Sequence, residues 1–257
     1  ESGANNNVLS QQIRIYHKRF IILREKELKG LTEIPYEDSL ALAHHSYAVI
    51  DSYPDKAAEY NRIAAEKTYE KGLTRKALEL YQNVLNVIDH GCSKINLKTL
   101  LEFYISYSKC FLDAQKDPQD VLVLLDKASL LLDKGSLQNT ELNVSWFKNE
   151  LIVIKALAYY RLRKFDDSIK EANKIISSKK ASQAQQCRAI FYYAASLPPA
   201  DQKARQDTHL KVIDNIKTAI DGNELSDIDR VELLKVKSEA LNNTGFIYLF
   251  GLSLPTE

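Results

Sequence analysis

The chain has 257 residues, with 35 Lys and Arg against 34 Asp and Glu, a formal net charge of +1, 8 Gly, 6 Pro, 3 Cys and no Met. Its 45% hydrophobic and 27% charged residues exclude a disordered chain, and its length can bury a sizeable core. So few Gly and Pro exclude a turn-rich all-β fold and most doubly wound α/β folds. The charge balance excludes a protein whose main work is neutralising phosphates, and three Cys make no disulfide framework.

Residues 1–7 are polar and lack the basic and apolar stretches of a signal peptide, so they read as a disordered lead-in. Residues 8–257 then read as one helical domain. Leu9, Ile13, Tyr16, Phe20 and Leu23 step by four and three, one face of a first helix. A second carries Leu40, Ala43, Tyr47 and Ile50 and stops at Tyr53, with Pro54 suited to open the next. The third runs over 55–71 and ends at Gly72, and the fourth over 74–90 before Gly91. The fifth covers 97–114. Asp117-Pro118 with Asp120 starts a sixth that ends at Lys134-Gly135. Further helices are expected over 140–162, 165–177, 182–196 and 201–220, and an eleventh from Ser226 and Asp229 toward Phe250. No strand-like alternation interrupts them.

Two stretches are alike. Ala64 to Gly72, followed by Ala77, Leu78 and Tyr81, matches Ala156 to Phe165, followed by Ser168, Ile169 and Ala172. Small residues (Ala65, Ala77, Ala156, Ser168) recur where two helices must approach, and aromatics (Tyr69, Tyr81, Tyr160, Phe165) recur where a groove must be filled. A third unit is hinted at by 189–195, whose Tyr192-Tyr193 pair lies 33 positions after Tyr159-Tyr160. This pattern resembles the tetratricopeptide repeat, a helical hairpin of about 34 residues. The clearest units are about 55–90 and 141–177, and the likeness extends over about 55–220. Lys155 stands where that family usually has Leu, and Arg163 replaces the turn glycine. The spacing Ala77–Val121–Ser168 is 44 and then 47 residues, longer than the family's period. The resemblance implies an all-α, right-handed solenoid of antiparallel helix pairs, about eleven helices in all.

Chemistry-bearing patterns are sparse. His44-His45 is the one adjacent His pair; neighbouring helical positions diverge by about 100°, so the two cannot share one metal. His17, His90 and His209 read as solitary. Cys92, Cys110 and Cys187 form no CxxC, and the last two fall in apolar faces, as core thiols do. No phosphate-binding loop or nucleophile elbow is present. Asp166-Asp167 complements a helix start. The expectation is no enzyme, no cofactor, no metal and no small-molecule substrate. Two basic stretches, His17 to Lys29 and Arg161 to Lys180, are interleaved with acids and read as solvated faces. Helical-repeat RNA binding is the second reading.

In tetratricopeptide domains that resemble chaperone cofactors, Lys, Arg and Asn clamp a C-terminal carboxylate. The matching positions here are Arg62, Glu66 and Tyr69, and later Val153, Leu157 and Tyr160; Glu66 would repel such a tail. The resemblance instead implies a scaffold whose groove holds an extended or helical segment of another protein, with Arg62, Glu66, Tyr69, Tyr160, Arg161 and Tyr193 as partner-binding candidates. No apolar run is long enough to span a membrane, and unpaired thiols point to an intracellular protein, cytoplasmic or nuclear. Usage of roughly 2% would supply about five Met. Their absence, with the apolar stretch 246–252 at the end, points to a piece of a longer chain.

Overall fold

The computed structural model describes the backbone of residues 2–89, 95–135, 143–221 and 227–251. Among these are eleven α-helices and no strand: α1 (Ser2–Leu28), α2 (Tyr36–Tyr47), α3 (Pro54–Glu70), α4 (Thr74–Asp89), α5 (Leu97–Asp113), α6 (Pro118–Gly135), α7 (Val144–Arg161), α8 (Phe165–Ile176), α9 (Gln183–Ser196), α10 (Gln202–Asp221) and α11 (Asp227–Gly251). His90, Gly91, Cys92, Gly222, Ser226 and the helix start expected at 140 lie outside the described residues, as do the side chains of the apolar end. No described helix is long and apolar enough to cross a membrane.

The helices gather into two compact units, Glu1–Lys116 and Asp117–Glu257. In unit 1, α1 packs on α2, α2 on α3, α3 on α4 and α4 on α5, with a further contact from α3 to α5. In unit 2, α6 packs on α7, α7 on α8, α8 on α9, α9 on α10 and α10 on α11, with α7 also meeting α9. Packing in chain order, with next-but-one contacts between alternate helices, is what stacked helical hairpins produce.

Small side chains occupy the crossings. Ala65, Ala77, Ala156 and Ser168 are fully buried. Each unit adds a polar tie at its crossing. In unit 1 the Asn61 amide donates to the Ala43 carbonyl of α2 and to Ala57, and its oxygen accepts from Asn83 of α4. In unit 2 the Ser168 hydroxyl donates to the Ala156 carbonyl of α7 and accepts from Ser196 of α9. Buried polar groups carry such partners because an unmade hydrogen bond costs about 1–3 kcal/mol.

Helix ends follow the sequence signals. Pro54 opens α3. Asp117 accepts from the Gln119 amide ahead of α6. Ser182 and Gln185 form a reciprocal capping box on α9. At the other ends, α3, α5 and α7 stop in the same way. Gly72, Gln115 and Arg163 all have positive φ (75°, 55° and 57°). In each case that residue's amide donates to the carbonyl three residues back, and the next amide reaches five residues back: Gly72 to Tyr69 and Leu73 to Thr68, Gln115 to Leu112 and Lys116 to Phe111, Arg163 to Tyr160 and Lys164 to Tyr159. This double bond is the Schellman closure. Arg163, a departure from the family pattern in sequence, therefore keeps the glycine's backbone geometry.

Three expectations change. The face of α1 stepping from Ile13 to Leu23 was expected to pack, yet Ile13, Tyr16 and Leu23 are 49%, 60% and 61% exposed, whereas Ile21 is fully buried. The contact edge with α2 runs through Ile21 and Leu28, which join Leu42, Ala43 and Val49 in one cluster, and through Phe20 of the expected face, which stacks on His45. Phe165, expected to fill a groove, is also exposed; it opens α8, and its ring lies 6.3 Å from that of Tyr160. The bounds of α1 also take in residues 2–7, set apart above as a lead-in.

A left-handed residue other than glycine carries about 1–3 kcal/mol of backbone strain. Gly72→Ala is therefore expected to cost about 1 kcal/mol, and the exposed Arg163→Gly to gain up to about 1 kcal/mol, both read as shifts of a urea unfolding midpoint.

Candidate functional site

The first three candidates line one side of α3, four and three residues apart, and the structure brings them together. One Arg62 nitrogen donates to both Glu66 oxygens, at 2.7 and 2.8 Å. Burial pushes the Glu66 carboxyl above its ordinary range, and Glu102 and Glu70 add to this while Arg62 opposes it. The Tyr69 hydroxyl donates to Asp113 at the end of α5, at 2.6 Å. This face is thus closed by its own ion pair and hydrogen bond.

Beside it, unit 1 holds a cleft of about 260 Å³ between α3, α4 and α5. Val84, Ile88, Leu100 and Phe103 form an apolar floor, and Asp55, Glu59, Arg62, Asn96 and Thr99 supply polar walls. Arg62 joins the cleft to the α3 face.

The other candidates belong to unit 2. Tyr160 and Arg161 end α7; Tyr160 is half-buried and Arg161 exposed. Tyr193 of α9 packs against the core of the unit. Val153 is buried in the same core, and Leu157 packs against it half-buried. Lys155, out of pattern for the family, pairs with Asp126 of α6 at 2.7 Å.

Unit 2 also contains a buried ionic group that sequence reasoning missed. Arg188 of α9 donates to both oxygens of Glu150 of α7, at 2.8 and 2.7 Å, and lies 2.7 Å from Glu232 of α11. Gln185, the capping residue of α9, donates to Glu150 and to the Trp146 carbonyl. Burial acts to lower the Arg188 pKa, but Glu150 and Glu232 outweigh it and hold the pKa above its usual value. The signal lay in charges placed among apolar neighbours: Glu150 between Phe147 and Ile154, Arg188 between Ala184 and Phe191. Pairing across 38 positions is invisible to local spacing. The cluster ties α7, α9 and α11 of unit 2 together, with Glu150 fully buried and Arg188 buried.

The histidines are less solitary than their sequence positions imply. His17 of α1 meets His45 of α2, Nδ1 to Nδ1 at 2.9 Å, and His44 lies alongside. Burial lowers the pKa of both His17 and His45, and their neighbouring imidazoles lower it further. His209 is fully buried against Phe191, with neither ring nitrogen bonded to a described partner. Burial, aided by Arg205, brings its pKa down to about 4. Cys110 and Cys187 are buried free thiols, as expected, pushed up by burial to about 12 and about 11. Among the described residues, no three His, Cys, Asp or Glu converge on one metal position.

No protein-family model matches the chain, and no curated protein does either.

Two measurements test unit 2. Arg188→Met leaves Glu150 buried without its cation and is expected to cost about 3–5 kcal/mol, with most of it recovered in the Glu150→Gln/Arg188→Met double variant. His209 binds its proton more weakly when folded than the unfolded value of about 6.5. Its contribution is therefore whole above pH 6.5 and is lost as pH falls toward 4, by about 3 kcal/mol in all. His209→Leu is expected to flatten that part of the pH–stability curve.

Proposed function

We propose that the chain is a non-catalytic, tetratricopeptide-like scaffold that holds a segment of another protein inside a larger intracellular assembly. The observation that carries this reading is the unit 1 cleft between α3, α4 and α5. Its volume lies below the roughly 300–1,000 Å³ of typical small-molecule sites and suits one anchoring side chain. The floor is apolar, and the walls carry two carboxylates against one guanidinium. A segment that inserts an apolar side chain and flanks it with Lys or Arg fits this lining. The closed Arg62–Glu66 pair supports a wall that shapes the cleft rather than a clamp for a carboxylate tail.

The test is affinity capture with the full chain, with bound proteins identified by mass spectrometry and bound RNA assayed in parallel. A stoichiometric protein partner is expected, with retention at least tenfold lower for Thr99→Arg, which fills the cleft, and for Leu100→Glu, which charges its floor. Thermal midpoints should stay near that of the parent, since both side chains are only half-buried. Retention that ignores both changes, or capture of RNA alone with affinity falling steeply as salt rises, overturns the reading.

A further inference from the structure

The contact between His17 and His45 lies apart from the cleft. The two imidazoles come from different helices, 28 residues apart, and their Nδ1 atoms are 2.9 Å from one another. Phe20 lies parallel to the His45 ring, with centroids 3.8 Å apart, and so fixes the plane of that ring. Both histidines are half-buried, so solvent reaches the pair. Asp38 of α2 and Asp51 beyond its end are engaged by α1 arginines, Asp51 by Arg14 and Asp38 by Arg24. Imidazole nitrogen is therefore the available donor.

We propose that His17 and His45 form a two-imidazole site for a divalent first-row transition metal ion, which clamps α1 to α2. Metal–imidazole bonds are about 2.05 Å long, and two such bonds at about 90° place their nitrogens about 2.9 Å apart. That spacing matches a cis pair at a square-planar or octahedral centre. A tetrahedral ion would ask for about 3.3 Å, so Cu²⁺ and Ni²⁺ fit better than Zn²⁺, in keeping with their general order of affinity. In the metal-free pair one ring carries its hydrogen on Nδ1 and donates it to the other. Binding moves that hydrogen to Nε2 and frees both Nδ1 lone pairs, with no net proton release. Because no third His, Cys, Asp or Glu completes the set among the described residues, water fills the remaining positions. The site joins α1 to α2, and α1 leaves much of its apolar surface exposed, so a shared ion adds a cross-link that packing alone does not supply there.

The test titrates the tag-free full chain with Ni²⁺ by calorimetry and records the electron paramagnetic resonance of added Cu²⁺. One ion per chain is expected, with nitrogen couplings from two imidazoles and a thermal midpoint raised by Ni²⁺. His17→Gln and His45→Gln should each weaken binding at least tenfold, and His44→Gln less than threefold. Since the variants could repack α1, broadening of the His17 and His45 ring resonances, and of the adjacent His44, by Cu²⁺ in the unaltered chain while His209 stays sharp gives the same answer without substitution. No binding up to about 1 mM ion, an affinity unchanged in the His17 and His45 variants, or broadening of other histidines instead overturns the site.

Discussion

Helices of 12 to 18 residues, such as α2 to α9, are marginal in water when isolated. Each must therefore bury a face on its neighbours, and how closely two backbones approach decides how much is buried. That approach is set by Ala and Ser. Ala43, Ala57, Ala58, Ala64 and Ala65 line the crossings of unit 1; Ala156, Ser168, Ala172, Ala184 and Ala189 line those of unit 2. Small residues remove bulk at the crossing but leave backbone carbonyls near the seam. Asn61 and Ser168 answer this by donating to carbonyls of an adjacent helix. The larger core side chains, Tyr81 and Phe103 in unit 1 or Ile175 and Ile216 in unit 2, then fill the space beside each crossing.

This logic explains why helix positions were legible from sequence. Apolar spacing marks the buried face, and the breaks fall where backbone geometry demands a stop. Pro54 and Pro118 open helices; Gly72 closes one with a positive φ that glycine adopts at little cost. The same closure at Gln115 and Arg163 was hidden, because a long polar side chain does not advertise a left-handed backbone. Arg163 looked like a mismatch to the repeat pattern, although its hydrogen bonds are those of the glycine turn.

The functional features were read less well, for a physical reason. Periodicity reports which residues share a face of one helix but not which faces meet. Arg62, Glu66 and Tyr69 are close because they share α3, so spacing alone grouped them. His17 with His45, and Glu150 with Arg188, are joined only by packing between helices. On α1 the apolar steps from Ile13 to Leu23 caught Phe20, which stacks on His45 of α2, but missed Ile21 and Leu28, which fall outside that stripe and still make the seam with α2. The cleft depends on three helices and on Phe103 forming its floor, none of which a single helical period encodes.

The two buried thiols give the fold a clock of its own. Cys110 belongs to unit 1 and Cys187 to unit 2, and both are held protonated at neutral pH by burial. A thiolate is the form that reacts with alkylating or disulfide reagents. Neither sulfur can be modified at an appreciable rate until its helix leaves the core. In a Cys92→Ser background, labelling of each under native conditions then reports the opening of its own unit, as an opening rate where reagent outpaces reclosing and as an opening equilibrium where it does not. One reagent thus resolves whether the chain breathes as a single cooperative body or as two.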